Sequence, residues 1–84
     1  MVMVKPGLPC LDVIRAVRES TLIPVGAYNV SGEYSMIKAA AANGWIDEER
    51  TVCEIALSFA RAGADIIVSY FSLELARWIK EGKI

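Results

Sequence analysis

Histidine is absent from the chain, and cysteine occurs only at Cys10 and Cys53. A metal site built on histidine or on C-x-x-C spacing is therefore excluded. The two isolated thiols fit reduced cysteines in a cytoplasmic setting. Charge of either sign is sparse and evenly spread, with nine basic against ten acidic residues and a net charge of −1. Without a basic patch, nucleic acid is not an expected partner. An anionic substrate would have to be held by local groups rather than by a global field. Long apolar runs are missing too: Lys38, Arg61 and Asp65 interrupt the longer stretches, so no segment reads as a bilayer span and no membrane is expected as a partner. The opening Met1-Val-Met-Val-Lys-Pro-Gly7 lacks a charged n-region and does not read as a signal peptide. No low-complexity tract, paired carboxylate, catalytic triad or phosphate loop is visible.

What is present is an excess of apolar residues. They make up 55% of 84 residues against 23% charged, and mean hydropathy is positive. A soluble chain this short ordinarily needs more polar surface. The balance suggests one partial domain over 1–84, whose elements are meant to be covered by neighbours outside it.

Three apolar runs recur along the chain, each followed by helix-like sequence. Met1–Val4 stops at the turn signal Lys5-Pro6-Gly7. Leu11, Ile14 and Val17 then recur at helical spacing, opposite Asp12, Arg15 and Arg18. The second run, Pro24–Val30, ends at Ser31-Gly32. A helix is expected from about Glu33 to Ala42, closed at Asn43-Gly44 by a left-handed cap. Asp47 can N-cap the next helix, with Glu48 and Glu49 in its first turn and Val52, Ile55, Ala56 and Phe59 as its buried stripe. Gly63 ends it. The third run, Ile66–Tyr70, leads to Ser72, a candidate N-cap for a last helix through Trp78 and Lys80. Uniformly apolar strands alternating with amphipathic helices indicate an α/β fold with a parallel sheet covered on both faces. Part of a (β/α)8 barrel and part of a doubly wound sheet both fit. The absence of G-x-G-x-x-G favours the barrel.

Barrel chemistry collects at the C-terminal strand ends. Those ends carry Lys5, then Tyr28 with Ser31, then Ser69 with Tyr70: one amine and several hydroxyls facing one mouth. Burial disfavours a charged amine, and a neutral amine can attack a ketone to form a Schiff base. The same position also suits a strand-end lysine pointing to water. Ser31, at a helix start, could bind a carboxylate beside backbone N–H groups or serve as an ordinary N-cap. Tyr28 and Tyr70 fit either ligand contacts or buried aromatics with satisfied hydroxyls. Trp45 and Trp78 read as packing residues near helix ends.

Met3-Val-Lys-Pro-Gly-Leu-Pro9, continuing through Leu11-Asp-Val-Ile14, resembles the active-site signature of the porphobilinogen synthase (5-aminolevulinate dehydratase) family. The resemblance continues through Tyr28-Asn-Val-Ser-Gly-Glu-Tyr34, Met36-Ile-Lys-Ala39 and Asn43-Gly-Trp-Ile-Asp47. It reaches Arg61-Ala-Gly-Ala-Asp-Ile-Ile67 and Ser69-Tyr-Phe71, in the family's order and spacing. It implies the C-terminal three strand–helix units of a TIM (β/α)8 barrel, incomplete in this chain. The implied activity is a hydro-lyase that condenses two molecules of 5-aminolevulinate to porphobilinogen in tetrapyrrole and heme biosynthesis. By the same resemblance Lys5 is the Schiff-base lysine, Ser31 and Tyr70 hold the substrate carboxylate, and Tyr28 lines that pocket. A cytoplasmic homo-oligomer, an octamer at full length, is implied as well. About five strands, a second active-site lysine, an oligomerisation arm and any zinc or magnesium ligands would lie upstream. Cys10 stands where the family signature usually has tyrosine. A truncated or split-gene product that must join other segments, and a different Schiff-base lysine barrel, are the competing readings; the Val30–Glu33 and Ser69–Phe71 blocks oppose the latter.

Overall fold

Each apolar run becomes a strand over its central residues. In the computed structural model, which describes all 84 residues, these are β1 (Val2–Val4), β2 (Val25–Asn29) and β3 (Ile66–Ser69). Between and after them come α1 (Leu11–Ser20), α2 (Ser31–Ala42), α3 (Glu48–Ala62) and α4 (Ser72–Lys80). A single 3-10 turn over Leu8–Cys10, which the periodicity does not foretell, precedes α1. The sheet is parallel with order β1-β2-β3, in the register Val4↔Ala27↔Ile67 and Tyr28↔Val68.

Local chemistry explains most helix boundaries. Asp47 caps α3 by accepting the Arg50 N–H at 2.9 Å. Gly63 closes that helix at φ 119°, a conformation glycine adopts without a Cβ clash. Gly44, at φ 73°, supplies the left-handed residue expected after α2. Two expected caps are corrected. α2 begins at Ser31, not Glu33, with Val30 at its N-cap; α4 begins at Ser72, with Phe71 at its N-cap. Neither N-cap position supplies a side-chain acceptor. The Ser72 hydroxyl instead donates back to the Ser69 carbonyl oxygen.

Two apolar clusters form the core. Val4, Val25 and Ala27 from the sheet meet Ile14 of α1 and Phe59 of α3. Ile37, Val52, Ala56, Phe71, Leu75 and Trp78 join α2, α3 and α4. Ile55 and Ile67 pack against both, so the two clusters are continuous through them. Trp78 fulfils its packing role, whereas Trp45 is three-quarters exposed and does not.

The expectation of a sheet covered on both faces is corrected as well. Alternation along the strands sends Val4 and Ala27 toward the helices and Met3, Gly26, Ile66 and Val68 to the other side. All four helices belong to one side, and Ile66 and Val68 remain 43% and 40% exposed. Both β1 and β3 are edge strands. Only 15 of the 84 residues are buried, although 55% are apolar, so much of the apolar surplus stays on the surface.

Two outcomes follow from this packing. Phe59 has no exposed surface and touches the sheet cluster. In a full-length protein carrying this segment, Phe59→Ala should cost about 3–5 kcal/mol in denaturant unfolding; a loss under about 1 kcal/mol would show that the site collapses without a cavity. Residues 1–84 produced alone should self-associate and bind apolar dyes, because two unpaired edges and an open apolar face invite pairing. At about 25 cal/mol per Å2, a few hundred Å2 left wet withholds several kcal/mol, comparable with a small domain's whole stability. A dye-silent, two-state monomer on size-exclusion chromatography would contradict this.

Candidate active site

Parallel pairing brings the C-terminal ends of all three strands to one edge of the sheet. Lys5 directly follows β1, Tyr28 lies near the end of β2, Ser31 opens α2, and Tyr70 directly follows β3. Tyr28, in register with Val68, belongs to the open face, and Lys5 follows β1 in a bend. Lys5 is exposed, and Tyr70 is more than half exposed.

The Lys5 loop is pinned to its neighbours by its backbone. The Gly7 N–H donates to the Tyr28 carbonyl at 2.8 Å, and the Leu8 N–H donates to Glu33 Oε2 at 3.3 Å. A Cβ on Gly7 would lie 2.9 Å from the Phe59 ring and 3.0 Å from the Tyr28 carbonyl oxygen. Only glycine lets the chain run this close to β2.

Tyr28 and Tyr70 meet at the mouth. The Tyr28 hydroxyl donates to that of Tyr70 at 3.4 Å, long for a hydroxyl pair. This hydrogen bond, ahead of desolvation, raises the Tyr28 pKa above the ordinary phenol value. With Val68 and Ser69 the two tyrosines line a small cleft. The Tyr70 hydroxyl keeps its own proton to donate to an incoming acceptor. Tyr34 of α2 packs on Tyr70 at 5.4 Å and on Phe71 at 4.7 Å between ring centroids, holding this corner in place.

Ser31 sits at the first helical position of α2, not at its cap. The first N–H groups of a helix have no intrahelical acceptors, and Val30 at the N-cap supplies no side-chain acceptor. This end of α2 therefore presents backbone donors and a serine hydroxyl together, which suits an anionic oxygen.

Ser69 borders that cleft, but its hydroxyl turns away from the mouth. Its Oγ accepts from Asn29 Nδ2 at 3.1 Å and from the Phe71 N–H at 3.0 Å, on the helix side of the sheet. Asn29 and Glu33 are the two polar residues of the core, and each keeps one buried oxygen without a partner. Burial pushes the Glu33 pKa above the ordinary carboxylate value, against the opposing pull of the Leu8 N–H. Sequence reasoning singled out neither residue. The available signal was a polar residue at an inward position of β2 and an acid in the first turn of α2. No group of three or more His, Cys, Asp or Glu side chains comes together to hold a metal ion.

The family profile described as delta-aminolevulinic acid dehydratase matches residues 1–78. A delta-aminolevulinic acid dehydratase from Synechococcus elongatus is 61% identical over 79 residues, covering 94% of this chain and 24% of the relative. One from Halalkalibacterium halodurans is 60% identical over 80 residues, covering 95% and 24%. Among solved structures, the Toxoplasma gondii delta-aminolevulinic acid dehydratase (porphobilinogen synthase) in complex with the reaction product porphobilinogen superposes with a TM-score of 0.88. It is 55% identical, and the match covers 90% of this chain and 22% of that one. The chain thus spans about a quarter of the length of the curated relatives it matches. Matched from end to end of the described site, from Lys5 to Tyr70, it belongs to the delta-aminolevulinic acid dehydratase family.

Proposed function

We propose that this segment carries one part of the active site of a porphobilinogen synthase, which condenses two molecules of 5-aminolevulinate to porphobilinogen with loss of water. The observation that carries the reading is the single edge at which Lys5, the Tyr28–Tyr70 pair and the open start of α2 occur together. Lys5 Nζ adds to the ketone carbon of one substrate, and loss of the carbonyl oxygen as water leaves the Schiff base. Tyr70 and Ser31 receive that substrate's carboxylate, and Tyr28 orders the Tyr70 hydroxyl. Withdrawing the amine from water falls to the remainder of a (β/α)8 barrel, of which this chain supplies the last three strand–helix units. The unpaired β1 and β3 edges and the open apolar face support that reading. A lone chain of residues 1–84 is therefore not a working enzyme.

Further features of the whole protein belong to the same proposal. Free rather than paired cysteines support a cytoplasmic setting. Exposed Leu22, Trp45 and Leu73, all outside the strands, support a homo-oligomer. Catalytic zinc or magnesium, if used, is held by residues upstream of this segment.

Two measurements test the assignment in a full-length enzyme carrying the segment. Borohydride in the presence of 5-aminolevulinate should trap an adduct on Lys5, and Lys5→Ala should abolish turnover. An unmodified Lys5 peptide, or near-normal turnover in the variant, would refute it. Ser31→Ala and Tyr70→Phe should each lower kcat/KM by roughly ten- to a hundredfold, the worth of a hydrogen bond to a charged group at about 1.5–3 kcal/mol. Both should still trap substrate on Lys5. Unchanged kcat/KM in Tyr70→Phe would reduce Tyr70 to a packing residue.

A further inference from the structure

We infer that Glu33 is a positioning residue for Lys5: its buried carboxylate holds the loop that carries the lysine and ties that loop to the first turn of α2. The inference rests on the lysine assignment proposed above. Three residues after Lys5, Leu8 begins the 3-10 turn, and its N–H has no acceptor within that turn. Gly7, at the cap position, has no side chain to provide one. Glu33 reaches across from α2 and provides it at 3.3 Å.

The placement of Glu33 is hard to account for as ordinary packing. Its side chain is almost fully buried, with Pro6, Leu8, Pro9, Val30 and Met36 around it in an apolar groove. No lysine or arginine forms an ion pair with it. The Leu8 N–H is its sole protein partner, and Oε1 has none. An acid in such surroundings is costly unless it is hydrogen-bonded, so a residue chosen for core stability alone would be apolar. A carboxylate here secures one backbone donor at the base of the Lys5 loop. Because Ser31 lies two residues earlier in the same helical turn, one bond links the lysine's loop to the end of α2 that receives the carboxylate. Gly7 fixes the loop on its other side through the Tyr28 carbonyl. The loop therefore has two backbone anchors, one on β2 and one on Glu33.

The test uses the full-length enzyme carrying this segment. Glu33→Gln keeps an acceptor oxygen at the same reach. Glu33→Asp keeps the charge but is one methylene too short, and Glu33→Met keeps the bulk alone. The readouts are the borohydride-trapping rate on Lys5 at saturating 5-aminolevulinate, kcat and KM separately, and thermal unfolding. Glu33→Gln should trap within about threefold of the parent. Glu33→Asp and Glu33→Met should trap about tenfold more slowly, the scale set by losing one buried hydrogen bond. The loss should fall mainly on kcat. Replacing Leu8 by its α-hydroxy acid deletes the N–H that Glu33 accepts and also weakens the Gly7 carbonyl that accepts the Cys10 N–H, so it should slow trapping at least as much as Glu33→Met. That measurement decides the matter if the shortened or apolar side chains prevent folding. Folded Glu33→Asp or Glu33→Met trapping at the parental rate would overturn the positioning role. So would an ester-substituted protein that traps normally. An unmodified Lys5 in the parent enzyme would instead overturn the lysine assignment beneath it, so the two failures are told apart.

Discussion

Backbone pairing to β2 is the constraint on which the remaining geometry depends. Since β2 runs parallel to both β1 and β3, the three chains leave the sheet at the same edge. An antiparallel partner would have sent one exit to the opposite end. The register Val4↔Ala27↔Ile67 then sets how far each strand reaches before its loop begins. It also sets which residues alternate inward. Asn29 faces the helices and Tyr28 the open side because successive strand residues point to opposite faces. A one-residue slip would exchange them and bury the tyrosine hydroxyl.

Around that ladder, two kinds of force divide the labour. Apolar packing between sheet and helices holds the scaffold, with Phe59 and Phe71 fully buried in the two clusters. Single hydrogen bonds then fix the loops at the strand ends. Gly7 to Tyr28, Leu8 to Glu33, and Asn29 through Ser69 to Phe71 each cross from one element to another. At the opposite edge Asp65 does similar work. Its side chain accepts the Val25 N–H at 2.9 Å and pairs with Arg18, while its own N–H donates to the Val25 carbonyl at 2.7 Å. The Arg18 pair is substantially exposed, so its geometric role outweighs any contribution to stability.

The candidate site thus lies along an edge of the sheet rather than in a closed cavity. The hydroxyl pair, the helix end and the lysine loop are all open to solvent in the chain itself. Desolvation is what turns a strand-end amine into a nucleophile, and the chain by itself leaves Lys5 exposed. That edge borders the open apolar face of the sheet, where Ile66 and Val68 remain exposed.

Much of the fold was legible from residues 1–84 alone. Strand positions, the amphipathic faces of α1 and α3, the Asp47 cap and the Gly63 stop all follow from local pattern and backbone chemistry, which neighbouring residues supply without tertiary help. Lys5, Tyr28, Ser31 and Tyr70 could be picked out because strand ends are where such folds place their chemistry. Only the tertiary structure decided which side of the sheet is open, since a uniformly apolar strand carries no mark of its wet face. The distant partners were equally hidden. Glu33 finds the Leu8 N–H 25 residues away, and Asn29 finds Ser69 across 40. No local periodicity records a contact between residues so far apart in the chain. Ser69 turned from the mouth to the helix side for the same reason: strand register, a long-range property, outranks proximity to Tyr70 in sequence.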